Sequence, residues 1–160
     1  MIKKLIQNFC RKFYFIQIEI RTFWWSLLFK KFGKNSKVFG RIIVYNPENV
    51  EIGENSTLNE GVLLNARTSI KIGNFVHISS FCILNTGELD YSKIMEKRNH
   101  RAKPIEIEDG VWMASGVIIN PGVKIKKNSV IGAGAVVTSD IPENSVAVGI
   151  PARIIKKINN

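Results

Sequence analysis

Two histidines are the side chains in this sequence best suited to acid–base chemistry near neutral pH. They are His77 and His100, and a neutral imidazole can accept a proton from a hydroxyl group under physiological conditions. Two histidines exclude any metal site that needs three His ligands from one chain. Cys10 and Cys82 are too few for a disulfide framework or a Cys-only zinc site. The sequence therefore favours proton transfer and predicts no metal site.

Positive charge is concentrated at the start of the chain. The 160 residues include 23 Lys and Arg and 13 Asp and Glu, which give a formal net charge of +10. Residues 1–40 contain nine of the basic residues and one acid, Glu19, and so contribute +8 of that charge. No groove-reading motif accompanies these basic residues, so nucleic acid is not expected as a partner.

The N-terminal segment, residues 1–34, is predicted to be helical. Apolar residues recur at intervals of three or four, and neither Pro nor Gly occurs before Gly33. Polar residues interrupt the apolar character, so a membrane-spanning helix is not expected. Two interpretations remain open. The helix packs on the body or on a neighbouring subunit, or residues 1–31 lie on an anionic membrane surface. The recurring residues are Leu5, Phe9, Phe13, Ile16, Ile20, Trp24 and Leu27.

A six-residue repeat occupies most of the remaining sequence. The first position of each repeat is aliphatic or Met, and the fifth is mostly small or β-branched. A helix repeats near 3.6 residues and a strand near two, so neither explains this period. A short strand followed by a bend does, and three such units close one triangular coil of about 18 residues around an apolar interior. The first-position residues are Ile52, Leu58, Leu64, Ile72, Ile78, Leu84, Ile107, Met113, Ile119, Ile125, Ile131 and Val137.

The repeat is interrupted by an excursion, residues 86–103. Its sequence, TGELDYSKIMEKRNHRAK, is rich in charged residues and includes His100. A long loop that leaves a compact solenoid is commonly functional. The predicted fold is thus an all-β solenoid over residues 35–150, preceded by the helical segment 1–34 and followed by a basic tail, residues 151–160.

The segment from Lys103 to Lys156 contains the most specific motifs, which are Val-Trp, Asn-Pro-Gly-Val and Gly-Ile-Pro-Ala-Arg. With the repeat, these motifs resemble the hexapeptide-repeat acyltransferases, in particular the maltose, galactoside and polysaccharide O-acetyltransferases. The resemblance implies a left-handed parallel β-helix and a homotrimer. The left-handedness rests on the resemblance alone, because crossovers between parallel strands are usually right-handed.

In the resembling acetyltransferases, a loop at this place meets the neighbouring subunit and carries a histidine general base. The resemblance therefore makes His100 the predicted catalytic base. The sequence departs from the family pattern in the stretch TGELD (residues 86–90), where Leu89 stands at the position of a histidine in many relatives. The role has then moved to His100, is filled by His77, or is lost. One of the two acids in this stretch is a candidate to orient an imidazole.

The resemblance also implies acetyl-CoA as the acyl donor, held between adjacent subunits along the late coils. Small residues let backbone amides approach the extended pantetheine arm, and Arg or Lys suits the nucleotide phosphates. The alternative for the small residues is simple packing between coils, and the alternative for Arg153 and Lys156 is a solvated basic tail. The predicted contacts are Trp112, Ser115, Ala133, Thr138, Arg153 and Lys156.

The function implied by the resemblance is acetyl transfer from acetyl-CoA to a sugar hydroxyl of a surface polysaccharide or its precursor. The alternatives are an acyltransferase for an amino sugar or another small acceptor, including an antibiotic, and a non-catalytic β-helix scaffold. No signal peptide is evident, so a cytoplasmic protein is expected. If the basic helix binds lipid, the protein is peripheral at the inner face of the cell membrane.

Overall fold

The computed structural model describes residues 2–90, 92 and 99–158, which form one long helix and a stack of β-coils. The helix, α1, spans Ile2–Leu28. Coil 1 contains β1 (Lys31–Phe32), β2 (Lys37–Val38) and β3 (Ile43–Tyr45), and a short 3-10 helix at Pro47–Asn49 leads to coil 2. Coil 2 contains β4 (Val50–Ile52), β5 (Thr57–Leu58) and β6 (Leu63–Asn65). Coil 3 contains β7 (Ile70–Ile72), β8 (His77–Ile78) and β9 (Ile83–Asn85).

The predicted excursion begins and ends with a pair of strands, β10 (Gly87–Leu89) and β11 (His100–Ala102). Coil 4 follows with β12 (Ile105–Ile107), β13 (Trp112–Met113) and β14 (Ile118–Ile119). Coil 5 contains β15 (Lys124–Ile125), β16 (Val130–Ile131) and β17 (Val136–Val137). The last coil contains β18 (Ser145–Val148), and β19 (Arg153–Lys157) returns beside it.

The strands stack into three flat faces, and each face is built from parallel neighbours. Face A has the order β1-β4-β7-β12-β15, and face C has the order β17-β14-β9-β6-β3. Face B runs β2-β5-β8-β13-β16-β18 and ends with β19, which is antiparallel to β18. This arrangement is the predicted left-handed parallel β-helix with an N-terminal helix. The junctions between faces are named corner AB, corner BC and corner CA below.

The interior of the coils is the aliphatic column predicted from the repeat. All twelve first-position residues are buried, and the fifth-position residues are buried as well, except the half-buried Thr68 and Glu88. Because each coil covers the apolar edge of the next, the column forms one continuous core from Val38 to Ala152.

The coil length differs from the predicted 18 residues, and the whole difference lies at corner CA. The register pairs Val50 with Ile70, a step of 20 residues, whereas Glu106 pairs with Lys124, a step of 18, and Ile125 bridges to Ile141, a step of 16. Inward residues stay six apart from face A to face B and from face B to face C, as in Ile52, Leu58 and Leu64. Corner CA absorbs the extra or missing residues, and the excursion leaves the coil at this same corner.

The outward side chains give the three faces different characters. Face A carries a row of alternating charge, which is Lys31, Glu51, Lys71, Glu106 and Lys124 in register. The Lys124 ammonium lies 3.1 Å from Glu106 and 3.2 Å from Glu108, and these carboxylates raise the pKa of Lys124. Face C instead carries an apolar row of Ile43, Leu63, Ile83, Ile118 and Val136.

The helix α1 rests on the first coils by a face that the sequence pattern did not single out. Ile18 and Thr22 are buried, and the Thr22 hydroxyl accepts a 3.0 Å hydrogen bond from the Val38 amide. Arg21 donates to the Phe39 carbonyl at 2.8 Å. All seven recurring apolar residues of the pattern are exposed, and every side chain from residue 2 to residue 17 is exposed. Within the described residues, no helix is long and apolar enough to cross a membrane.

Two adjacent residues test the inside–outside assignment. Met113 is fully buried and Trp112 is half exposed. We expect Met113→Ala to lower the free energy of unfolding by about 2–5 kcal/mol, because it leaves a cavity in the column. Trp112→Ala removes a larger side chain but should cost less than about 1 kcal/mol. Denaturant unfolding at one fixed protein concentration compares them, and a larger loss for Trp112→Ala would contradict the assignment.

Candidate functional site

The excursion leaves coil 3 as an antiparallel hairpin. The register pairs Gly87 with Ala102, Glu88 with Arg101, and Leu89 with His100. Residues 91 and 93–98, in the middle of the excursion predicted at 86–103, lie outside the described residues. The hairpin is joined by ion pairs across its strands, Lys103 with Glu88 at 3.0 Å and Arg101 with Asp90 at 2.6 Å.

The pairing of Leu89 with His100 bears on the missing family histidine. Directly opposed residues of an antiparallel pair project from the same side of the sheet, with Cβ atoms about 5 Å apart. The exposed imidazole of His100 therefore lies on the same side of the hairpin as the residue that stands at the family position. This proximity arises from strand pairing, because the two residues are far apart in sequence.

His100 lines a hollow of about 330 Å³ at corner CA, together with Asn65, Arg67, Asn85 and Glu88. The Asn65 amide donates a 2.9 Å hydrogen bond to the Asn85 side-chain oxygen, and the Asn85 amide donates to the Gly87 carbonyl at 3.0 Å. Carboxamide, guanidinium and carboxylate groups are hydrogen-bonding partners for hydroxyl groups. Asn65, Arg67 and Asn85 were not expected at a site from the sequence, because the bend that follows each short strand of the repeat already accounts for an Asn.

The two acids considered as partners of an imidazole are engaged elsewhere. The buried Asp90 carboxylate accepts hydrogen bonds from Ser92 and Arg101. The Ser92 hydrogen bond, with the nearby Arg101 charge, lowers the pKa of Asp90. Glu88 pairs with Lys103. These contacts hold the base of the hairpin and leave the His100 ring open to the hollow.

His77 lies elsewhere, on the outward side of face B. Its Nδ1 is 3.0 Å from the Thr57 hydroxyl, and Trp112 is its neighbour in the next coil. The Trp112 indole donates a 3.3 Å hydrogen bond to Ser79 and is half exposed, so it points outward. The two histidines therefore lie on different sides of the coil and do not form one site within a chain.

Corner BC carries two of the predicted acetyl-CoA contacts. Ser115 and Ala133 are exposed and lie one above the other, since the Gly134 amide donates to the Ser115 carbonyl at 2.9 Å. The glycines beside them, Gly116 and Gly134, have positive φ values of 73° and 68°. A methyl group on Gly134 would meet no atom within 4 Å. The corner thus presents a strip of exposed backbone that no side chain covers at these glycines, and this strip is named the channel below.

The remaining predicted contacts divide between two places. Arg153 and Lys156 are exposed on β19, opposite Val148 and Val146, so they lie on face B at the C-terminal end of the stack. Thr138 is exposed at corner CA, directly after β17. Face C therefore separates Ser115 and Ala133 from Thr138 and His100 within one chain.

Comparison with known proteins agrees with this geometry. Residues 104–139 match the bacterial transferase hexapeptide family (six repeats). Galactoside O-acetyltransferase of Escherichia coli K12 is 36% identical over 145 residues, which cover 90% of this chain and 71% of that enzyme.

Solved structures show the same fold. A maltose O-acetyltransferase from Clostridium difficile 630 superposes with a TM-score of 0.83 at 34% identity, covering 96% of this chain and 86% of that one. A hexapeptide-repeat acetyltransferase from Vibrio cholerae O1 biovar eltor, solved with acetyl-CoA, superposes with a TM-score of 0.80 at 31% identity, covering 85% and 75%. The shared repeat, fold and sequence show that this chain belongs to the hexapeptide-repeat acetyltransferase family and is an acyltransferase.

Proposed function

We propose that the protein transfers an acetyl group from acetyl-CoA to a sugar hydroxyl of a surface polysaccharide or its precursor. The names of its relatives support a sugar acceptor, since they are a galactoside and a maltose O-acetyltransferase. The acetyl-CoA complex of the Vibrio cholerae neighbour supports the donor. The hollow beside His100 is lined by groups that hydrogen-bond hydroxyls, which suits a saccharide.

In the proposed reaction, His100 is the general base. Its imidazole takes the proton of the attacking hydroxyl while the oxygen forms a bond to the thioester carbonyl carbon. The carbon–sulfur bond then breaks, and the coenzyme leaves as a thiolate that recovers the proton from the imidazolium. The products are the acetylated sugar and free coenzyme A. The hairpin register supports this assignment, because it places His100 across from the family position that Leu89 occupies.

The channel at corner BC is the proposed donor site. The pantetheine arm lies along Ser115 and Ala133, where no side chain obstructs the backbone. Arg153 and Lys156 pair with the phosphates at the C-terminal end of the stack, and Trp112 forms part of the wall on face B. The acyl end of the donor then points toward coil 3.

The single observation that carries the proposal is the separation of the two corners. A donor at corner BC cannot reach His100 at corner CA of the same chain, because face C lies between them. If corner CA of one copy contacts corner BC of the next, His100 and Thr138 face the channel. Two different surfaces in contact give a heterologous interface, which closes into a ring. We therefore propose a homotrimer, and the apolar row on face C supports such a contact.

The proposed base is tested by replacing His100 with Ala. We expect kcat for coenzyme release to fall by about 100-fold or more, because a general base acts in the transition state. The affinity for acetyl-CoA, measured by calorimetry, should change less than about twofold, since the donor contacts are untouched. Maltose and simple galactosides are the acceptors to examine first.

The matched control is His77→Ala, which removes the other imidazole from face B. It should retain kcat within about threefold of the parent protein. A larger loss of kcat in His77→Ala than in His100→Ala would assign the base to His77.

We also propose that α1 attaches the protein to an anionic membrane surface. Ten apolar side chains at helical spacing form a stripe along the entire helix, on the side opposite Ile18 and Thr22. The helix is about 40 Å long, and all ten side chains are exposed. The stripe consists of Ile2, Leu5, Ile6, Phe9, Phe13, Ile16, Ile20, Phe23, Trp24 and Leu27.

Charge favours lipid over a second protein copy as the occupant of this stripe. Residues 2–17 include Lys3, Lys4, Arg11 and Lys12 but no acid, and Glu19 is already paired with Lys37 at 2.6 Å. Helices of two copies would repel one another, whereas each basic residue near an anionic bilayer contributes about 1 kcal/mol of attraction. With a donor made in the cytoplasm, the protein would act at the inner face of the cell membrane.

Vesicle co-sedimentation tests this attachment. The parent protein should bind phosphatidylglycerol vesicles and release them at high salt, as expected for basic residues on an anionic surface. A double variant in the stripe, Phe9→Ser with Phe13→Ser, should lose most of the binding. The control, Tyr14→Ser with Phe15→Ser, removes two aromatic rings from outside the stripe and should retain it. Absence of binding by the parent, with dissociation of the oligomer in the stripe variant, would assign the stripe to subunit contact.

A further inference from the structure

Coil 3 departs from the pattern of its neighbours at two corners. The left-handed backbone position of corner AB is occupied by Asn or Gly in the other coils, namely Asn35, Asn55, Gly110, Asn128 and Asn144. The left-handed position of corner BC is occupied by Gly61, Gly116 and Gly134 in coils 2, 4 and 5. In coil 3 the same two positions are Phe75, with φ 55°, and Phe81, with φ 62°. Asn and Gly tolerate this conformation, whereas a bulky side chain is strained there.

Burial does not compensate for this strain. Phe75 is 59% exposed and Phe81 is 65% exposed, so neither ring gains a core environment. A bulky residue held at positive φ costs on the order of 1–3 kcal/mol, and such strain concentrates at functional sites. The fold itself therefore does not explain either ring.

Phe81 lies at the end of the donor channel. It occupies the same corner as Ser115 and Ala133, one coil closer to the N-terminus, and the Gly116 amide donates to the Ser80 carbonyl at 2.9 Å. Its ring covers Gly61 in the preceding coil, where an added methyl group would collide with the ring. The corner is thus open in coils 4 and 5 and closed by an aromatic ring in coil 3.

The acyl end of the donor would stop at this ring. Arg153 and Lys156 lie at the C-terminal end of the stack, so a donor with its phosphates there extends toward coil 3. The hairpin that carries His100 also leaves from coil 3, and Asn85 lies in the last strand of that coil. If the copies are related by rotation about an axis parallel to the stack, coil 3 of one copy lies level with coil 3 of the next. Phe81 of one copy would then stand opposite the polar hollow of the next.

We propose that Phe81 is a specificity-determining residue for the acceptor, and this proposal rests on the proposed function. The face of its ring packs against the C–H face of a sugar, while the sugar hydroxyls remain directed to the hollow at corner CA of the neighbouring copy. An aromatic platform of this kind selects a ring-shaped acceptor with one apolar face over a linear or highly charged one. Phe75, at the other corner, has no position along the channel.

The test compares Phe81→Gly with Phe75→Gly in the full chain. Both changes relieve the same backbone strain, so neither should lower the midpoint of denaturant unfolding. In Phe81→Gly, the KM for the sugar should rise at least fivefold while the KM for acetyl-CoA stays within about twofold of the parent value. In Phe75→Gly, both KM values should stay within about twofold, and Phe81→Tyr should restore the parent sugar KM. Phe81→Asn serves as a second variant, because Asn occupies five left-handed positions in this chain outside coil 3.

The outcomes separate the two proposals. If the parent transfers acetyl to maltose or a galactoside and both Phe81→Gly and Phe81→Asn keep its sugar KM, the platform is overturned and the proposed function stands. Equal increases in sugar KM in the Phe81 and Phe75 variants would also overturn it, since loss of corner structure then explains both. A parent protein that binds acetyl-CoA but transfers to no member of a panel of saccharides, maltose and a galactoside included, overturns the proposed sugar acceptor and the platform with it.

Discussion

Closure of each coil around the aliphatic column is the constraint on which the rest of this molecule depends. A coil closes only if each of its three strands directs one large apolar side chain inward, as Ile107, Met113 and Ile119 do in coil 4. Loss of one such side chain leaves a cavity that neighbouring coils cannot fill. The outward positions have no such requirement. They are free to carry the charges of face A, the apolar row of face C and the histidines.

Corners BC and CA differ in backbone length and in the groups that they expose. Corner BC holds its length and uses Gly116 and Gly134 to keep a backbone channel open. The number of residues at corner CA varies from coil to coil, and the hairpin with His100 leaves the stack at this corner. A narrow solenoid thus presents a channel and a polar hollow on opposite edges of one face. In the proposed enzyme, the donor site lies at one edge, and the base and the acceptor hollow lie at the other. The three meet only where two copies of the chain contact each other in the ring.

The repeat was enough to predict the core and the coil architecture, because a period of six leaves few other ways to bury one residue in six. The motifs near the C-terminus predicted the family. Long-range pairing could not be predicted from the sequence, because no local pattern sets His100 opposite Leu89 or places Asn65 beside Asn85. The side of α1 that packs on the coils was also not predicted from the sequence. The helix has apolar residues on two sides, and it packs through Ile18 rather than through the regular stripe. Phe81 is visible in the sequence only once its corner is aligned with the glycines of other coils.

The central claim is that one active site is built from two copies, and subunit mixing tests it most directly. His100→Ala disables corner CA, and Ala133→Trp fills the channel at corner BC, so each variant alone should be inactive. If the two are unfolded together and refolded at equal amounts, random assortment in a heterologous ring pairs an intact corner CA with an intact corner BC at about one quarter of the interfaces. Recovery of about a quarter of the parent coenzyme-release activity is the predicted result. A mixture that forms mixed oligomers but stays as inactive as its components would contradict the account.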